Sequence, residues 1–328
     1  MTAARPAAAP APGPAPVVSV VIPAHDAAAF LGECLDSVAA QAGGWVREVI
    51  VVDDGSRDAT ADVARAHAGV RLIRLPANGG PGAARNAGVA AAQGEWVAFL
   101  DADDLWPAGS LAARAAVLRR QPGAALVFGD CRQFDAGGPA ASTVFEAGGL
   151  GAAAWGAGEL LPEGYRRLLA GNFVTTGTVL ARRAALQAAG GFAPGLRLVE
   201  DLDLWLRLAC QHPLAWCGQT CLLRRRHGAN LSRDPRAMSL AYLEVLQRQA
   251  GAAAAAGPGL AAELAALAAA ERLHLADLAL AAGRPHEALA WAWQSLRARP
   301  GLRALARVGR AWRARWSAAR PAPPPGPR

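Results

Sequence analysis

The 328-residue chain contains no lysine; all 34 of its basic residues are arginine. That excludes the phosphate loop G-x-x-x-x-G-K-[ST], which needs one. No G-x-G-x-x-G follows the first strand candidate either, so ATPase and dinucleotide-binding readings lose their support. Cysteine is scarce: Cys34, Cys131, Cys210, Cys217 and Cys221 are odd in number and scattered. A disulfide framework is not expected in a chain of this length without an export signal. Cys217 and Cys221 have a spacing a metal could use, yet no nearby Cys or His pair completes a zinc site, so buried thiols are expected. Long apolar runs are missing as well. Residues 251–270 are mostly alanine, broken by Gly257-Pro258 and Glu263, and nothing there is expected to span a bilayer. Residues 3–16 are Ala and Pro with one Gly and one Arg, which reads as a disordered leader over 1–16 rather than a signal peptide. The expectation is a cytoplasmic protein.

What is present is ample core material, with 53% apolar and 18% charged residues. The length suits two ordinary domains, or one large α/β domain with an appendage. The net charge of +8 misleads as an average: nine arginines lie between Arg297 and Arg328, while the last acidic residue is Glu287. Residues 1–296 hold 25 arginines against 26 acidic residues, so the body carries no general nucleic-acid footprint. From residue 17, short β-branched runs alternate with longer helical ones. Strands are expected at 17–22, 48–52, 70–75, 96–100, 125–128 and 177–181, with helices at 27–41, 58–68, 81–91, 107–120 and 200–211. That succession predicts a mainly parallel sheet with helices on both faces. In such sheets ligands bind beyond the carboxyl ends of the strands. Asp53-Asp54 and Asp101/Asp103 both fall at such ends, so both are expected to line one crevice.

A crevice lined by carboxylates repels a diphosphate unless a divalent cation intervenes. Mg²⁺ or Mn²⁺ takes one or two carboxylates and completes its oxygen shell from phosphates and water, and Asp101-Ala102-Asp103 suits that role. Six motifs then recur in order: Val18-Ser19-Val20-Val21-Ile22-Pro23-Ala24-His25-Asp26, Val51-Val52-Asp53-Asp54-Gly55-Ser56, Asn78-Gly79-Gly80, Ala84-Arg85-Asn86-Ala87-Gly88, Phe99-Leu100-Asp101-Ala102-Asp103-Asp104 and Glu200-Asp201-Leu202-Asp203-Leu204-Trp205. Together they resemble a family 2 glycosyltransferase of the GT-A fold, over residues 17–233. The resemblance implies an inverting transfer of a sugar from a nucleotide-diphosphate donor, UDP-linked by expectation, to a hydroxyl of a surface polysaccharide, glycolipid or other glycoconjugate. It places Pro23, Ala24, Asp26, Asp53 and Asp54 at the nucleotide base and ribose, and Asp101, Ala102 and Arg85 at the donor. It assigns Asp103, Asp101 and His227 to the metal. Asp201 becomes the general base, with Glu200 orienting the base or the acceptor. Trp106 and Trp205 are candidates for an acceptor pocket, Trp205 being equally at home in a core. A sugar-nucleotide pyrophosphorylase would want a Gly-rich basic loop after the first strand, which 23–29 lack. A non-catalytic nucleotide-sugar-binding or scaffold protein would have no reason to keep Asp101, Asp103 and Asp201 together.

Beyond Met238 the pattern turns all-helical, with a region over 238–318 and a disordered end over 319–328. Residues 272–282, Gly283 and 285–297 resemble one tetratricopeptide-like hairpin. Leu302, Leu305, Gly309, Trp312 and Trp316 follow helical spacing with arginines between them. That helix either packs on the hairpin with a solvated arginine face or lies on an anionic membrane surface, at the inner face of the cell membrane.

Overall fold

The computed structural model describes residues 16–41, 43–156, 158–227, 234–255 and 257–318. The leader before Pro16 and the end over 319–328 lie outside them. The chain divides into two units, residues 1–230 and residues 231–328. In the first, β1 (Val18–Ala24), α1 (Ala28–Ala39), β2 (Val46–Asp53), α2 (Thr60–Ala66), β3 (Val70–Arg74), α3 (Pro81–Ala91) and β4 (Trp96–Phe99) follow one another. Then come α4 (Ser110–Arg120), β5 (Leu126–Asp135), β6 (Gly138–Pro139), α5 (Val144–Gly148), α6 (Ala152–Trp155), α7 (Gly164–Ala170), β7 (Leu180–Arg182), α8 (Arg183–Ala188), α9 (Glu200–Gln211) and β8 (Leu214–Arg225). The sheet order is β3-β2-β1-β4-β7-β5-β6, with β8 paired to β5.

The pairs β1–β2, β1–β4, β2–β3 and β5–β8 are parallel, whereas β7 runs antiparallel to both β4 and β5. This is the mainly parallel sheet with helices on both faces that the sequence predicts. The register places Ala24 beside Asp53, so β1 and β2 end together at the carboxyl edge. On one face, Val18, Val20 and Ile22 join Leu31, Leu35 and Val38 of α1, Ala64 of α2, and Leu111 and Leu118 of α4 in a single core. On the other, α3 lies so close to β1 that a Cβ at Gly88 would stand 2.3 Å from Val21 Cγ1. Only glycine permits that approach.

Two boundaries differ from expectation for local reasons. The helix expected from 107 begins at Ser110, because Gly109 takes a left-handed φ of 78° that no helix interior accommodates. The strand expected at 177–181 opens with a 3₁₀ turn over Thr176–Thr178 and keeps three strand residues, Leu180–Arg182. Cys34, Cys131, Cys217 and Cys221 are buried and Cys210 on α9 is exposed. The Cys217 and Cys221 sulfurs lie 3.4 Å apart.

The second unit holds α10 (Pro235–Arg248), α11 (Ala250–Ala255), α12 (Pro258–Ala281), α13 (Pro285–Ala298) and α14 (Leu302–Ala318). Asp234 caps α10 through hydrogen bonds from the Arg236 and Ala237 amides. The helix preceding Gly283 is longer than the sequence pattern suggested: its Ala/Leu-rich stretch runs unbroken for 24 residues. Small residues let α12, α13 and α14 approach closely, with Ala276 and Ala292 against Val308, and Ala279 and Ala288 against Ala311. Arg307 and Arg310 of α14 both reach Asp277 of α12, at 3.0 Å. Among the described residues no helix is long and apolar enough to cross a membrane.

Candidate functional site

The carboxyl edge of β1, β2 and β3 forms an open cleft of about 500 Å³, lined by His25, Asp26, Gly55, Arg57, Ala77 and Asn78. Its first wall is the turn after β1. Asp26 holds a left-handed φ of 47°, fixed by hydrogen bonds from its amide to Ser56 Oγ (3.0 Å) and from the Arg57 amide to its carboxylate (2.8 Å). His25 Nδ1 lies 2.9 Å from the Asp54 carbonyl oxygen. The paired carboxylates behind it tie loops together. Asp53 accepts from the Ser56 amide and from Arg74 Nε, both at 2.8 Å. Asp54 accepts from the amides of Gly79 and Gly80, one on each oxygen, again at 2.8 Å. The groups facing the cleft are therefore His25, Asp26, Arg57 and Asn78; His25 and Asn78 fall within the sequence motifs without a role assigned to them, and Arg57 falls outside the motifs. Pro23 and Ala24 belong to β1 behind this turn, Ala24 buried against the core.

The turn after β4 supplies the second cluster. Arg85, buried on α3, donates to Asp101 at 2.6 Å and to Glu200 at 2.7 Å, with its guanidinium 5.4 Å from the centre of the Phe192 ring. Asn86 beside it makes a double hydrogen bond with the backbone of Phe192, both contacts at 2.8 Å. Ala102 is buried in the core. Asp103 Oδ2 meets His227 Nε2 at 2.8 Å, and the His227 ring stacks on Phe30 with centroids 5.1 Å apart. Asp104 accepts from the Arg225 amide at 2.8 Å, so the end of β8 is pinned across the Asp101–Asp104 turn. Burial, with Asp101 and Asp103 close by, pushes the Asp104 carboxyl well above the ordinary range, as befits a structural acid.

The third cluster opens α9. Val199 takes a φ of 50°, a strained value for a β-branched residue, and turns the chain into Glu200-Asp201. Burial, then the neighbouring Asp201 charge, raises Glu200 to about 7 against the opposing pull of Arg85. Asp201 is aimed by two neutral donors, Asn172 Nδ2 at 3.1 Å and Thr176 Oγ1 at 2.9 Å. No periodicity or motif marks Asn172 or Thr176, which lie 29 and 25 residues upstream; only the fold brings them to Asp201. Arg85, Asp101, Glu200 and Asp201 thus form one charged cluster, and Asp103 with His227 a second beside it.

The two tryptophans do not offer an acceptor surface. Trp106 is buried, donating to the Gly177 carbonyl at 2.8 Å and lying 4.5 Å from the Arg114 guanidinium. Trp205 is fully buried among Phe99 and Phe192. Among the described residues no group of three His, Cys, Asp or Glu side chains stands ready as a metal cage. The Asp103–His227 pair does fit a divalent cation in its chemistry. A carboxylate oxygen and an imidazole nitrogen converge, partly exposed, leaving the remaining positions to phosphate and water.

Residues 19–155 match the sequence model of the family described as glycosyl transferase family 2. Among curated proteins, the succinoglycan biosynthesis protein ExoO of Rhizobium meliloti is 48% identical over 89 residues, 26% of this chain and 25% of its own length. The O-antigen biosynthesis protein RfbC of Myxococcus xanthus is 30% identical over 257 residues, 74% of this chain and 19% of its own. A PGL/p-HBAD biosynthesis glycosyltransferase of Mycobacterium bovis is 43% identical over 117 residues, 34% of this chain and 45% of its own. The chain therefore spans less than half the length of each of these relatives. Among solved structures, residues 1–349 of S. aureus TarS in complex with UDP-GlcNAc superpose with a TM-score of 0.65 at 18% identity, covering 92% of this chain and 91% of that one. That likeness establishes the fold.

Proposed function

We propose, from the match of residues 19–155 to the glycosyl transferase family 2 model, that this chain moves a sugar from a nucleotide-diphosphate donor to a carbohydrate or lipid-linked hydroxyl, with inversion. The observation that carries the reading is Asp201, its two oxygens aimed by Asn172 and Thr176 beside the Arg85–Asp101–Glu200 bridge. In this reading Asp201 takes the proton from the acceptor hydroxyl as that oxygen attacks the anomeric carbon from the side opposite the departing diphosphate. One displacement inverts the centre, and no carboxylate forms a covalent bond to the sugar.

The open cleft at His25, Asp26, Arg57 and Asn78 has the size and polarity for a nucleobase and ribose. Uracil is the favoured base, because the TarS domain of the same fold was crystallised with UDP-GlcNAc. Asp53 and Asp54 serve the donor indirectly, by fixing the loops that wall the cleft. Asp101 faces the donor across the Arg85 bridge. Asp103 and His227 would hold Mg²⁺ or Mn²⁺, which when bound neutralises the charge developing on the leaving diphosphate. Relatives named for succinoglycan, O-antigen and PGL/p-HBAD biosynthesis support a cell-envelope polysaccharide or glycolipid as acceptor.

Replacing Asp201 with Asn keeps its shape and removes its basicity. Turnover is expected to fall by about 10²–10⁴-fold, while calorimetric binding of UDP in the presence of Mn²⁺ stays within a few-fold of the parent chain. Preserved turnover would overturn the base assignment. Failure of every nucleoside diphosphate to bind the folded parent would overturn the transferase reading itself.

A further inference from the structure

Helix α14 is built inside out for a packing helix. It buries Ala304, Val308 and Ala311, while Leu302 is 85%, Leu305 55%, Trp312 54% and Trp316 57% exposed. A helix that only braced its neighbours would turn its large apolar side chains inward. At 100° per residue, its surface falls into three sectors. Ala311, Ala304 and Val308 face the α12–α13 hairpin, and Arg315, one turn beyond Ala311, ends that stripe exposed. Next round come Trp312, Leu305, Trp316, Gly309 and Leu302, then Arg313, Arg310, Arg303 and Arg307. The Trp312 and Trp316 rings stack with centroids 5.7 Å apart, so the apolar sector carries a flat aromatic plate. Arg307 and Arg310 are engaged with Asp277; of the other arginines, the exposed Arg313 lies just beyond Leu302 and the exposed Arg315 lies on the far side of Trp312, so these two flank the plate.

We propose that α14 docks this unit on an anionic lipid surface. Trp312, Trp316, Leu305 and Leu302 would enter the boundary between headgroups and acyl chains, and Arg313 and Arg315 would meet the lipid phosphates. Charge chooses the occupant. Residues 288–328 hold nine arginines and no acidic residue. A second copy placed face to face would set arginines against arginines with no acid to offset them. An anionic bilayer supplies both the apolar layer and the missing negative charge.

The inference goes beyond the transferase reading and is tested without donor or acceptor. The full chain is co-sedimented with vesicles of phosphatidylcholine alone and of phosphatidylcholine mixed with phosphatidylglycerol. Binding is expected to the mixed vesicles, to weaken as salt rises, and to fall about tenfold in the Trp312→Ala/Trp316→Ala variant. Arg313→Gln/Arg315→Gln is expected to reduce the preference for anionic vesicles. Both pairs are exposed, so unchanged thermal unfolding by circular dichroism separates lost binding from lost fold. Absence of binding by the folded parent, or equal binding by the tryptophan variant, overturns the proposal. So does self-association abolished by the tryptophan variant in a chain that ignores vesicles.

Discussion

Glu200 is a buried acid held between an opposite charge and a like one. Burial and Asp201 outweigh Arg85 and raise it from an ordinary 4.5 to about 7. The folded chain therefore keeps a proton that the unfolded chain has already lost across that interval. Stability falls as pH rises from 4.5 to 7, because the unfolded state gains by releasing the proton first. Glu200→Gln removes this group and is expected to make the fall of Tm with pH across that window shallower, Asp104 keeping its own share, measured by thermal denaturation at steps of pH. An unchanged slope would place the titration elsewhere. The buried ion pair to Arg85 adds a second constraint: a lysine in its place, a point charge rather than a fork, has no geometry to serve Asp101 and Glu200 together.

At the scale of the element, α3 shows why a short motif can be rigid. Ala84 is buried, Arg85 bridges two acids, Asn86 grips the backbone at Phe192, and Gly88 allows β1 to come close. Gly88→Ala places a methyl against Val21, and overpacking of this kind costs about 1–3 kcal/mol. Chemical denaturation is expected to show that loss as a lowered midpoint with an unchanged slope; a neutral result would mean that α3 slides freely on β1. The sequence made this much legible: the alternating elements, the carboxyl edge, and the acidic turns at 53–54 and 101–104. It left the task of each carboxylate open, because Asp53 and Asp54 read the same whether they meet a ligand or the amides of a neighbouring loop. The antiparallel β7 was also hidden, since three strand residues carry no period. Asn172 and Thr176 were invisible for a tertiary reason: only the left-handed turn at Val199 swings Asp201 to meet them.

Over the whole molecule, charge and reactivity are unevenly distributed. The near-neutral first 296 residues contrast with an end that carries only positive charge, so salt is expected to act on surface association far more than on the fold. Thiols are divided as sharply, four buried and one exposed. A thiol reagent is expected to find one reactive group in the folded chain and five in denaturant, countable by absorbance; a second fast-reacting group would show that the core opens locally. With no lysine to compete, Cys210 is a natural address for a reporter. It stands on α9 nine residues beyond Asp201, about 14 Å along the same rigid rod. A fluorophore or spin label placed there would travel with the proposed base. The loading of the crevice could then be followed by light or by resonance, without waiting for a product to form.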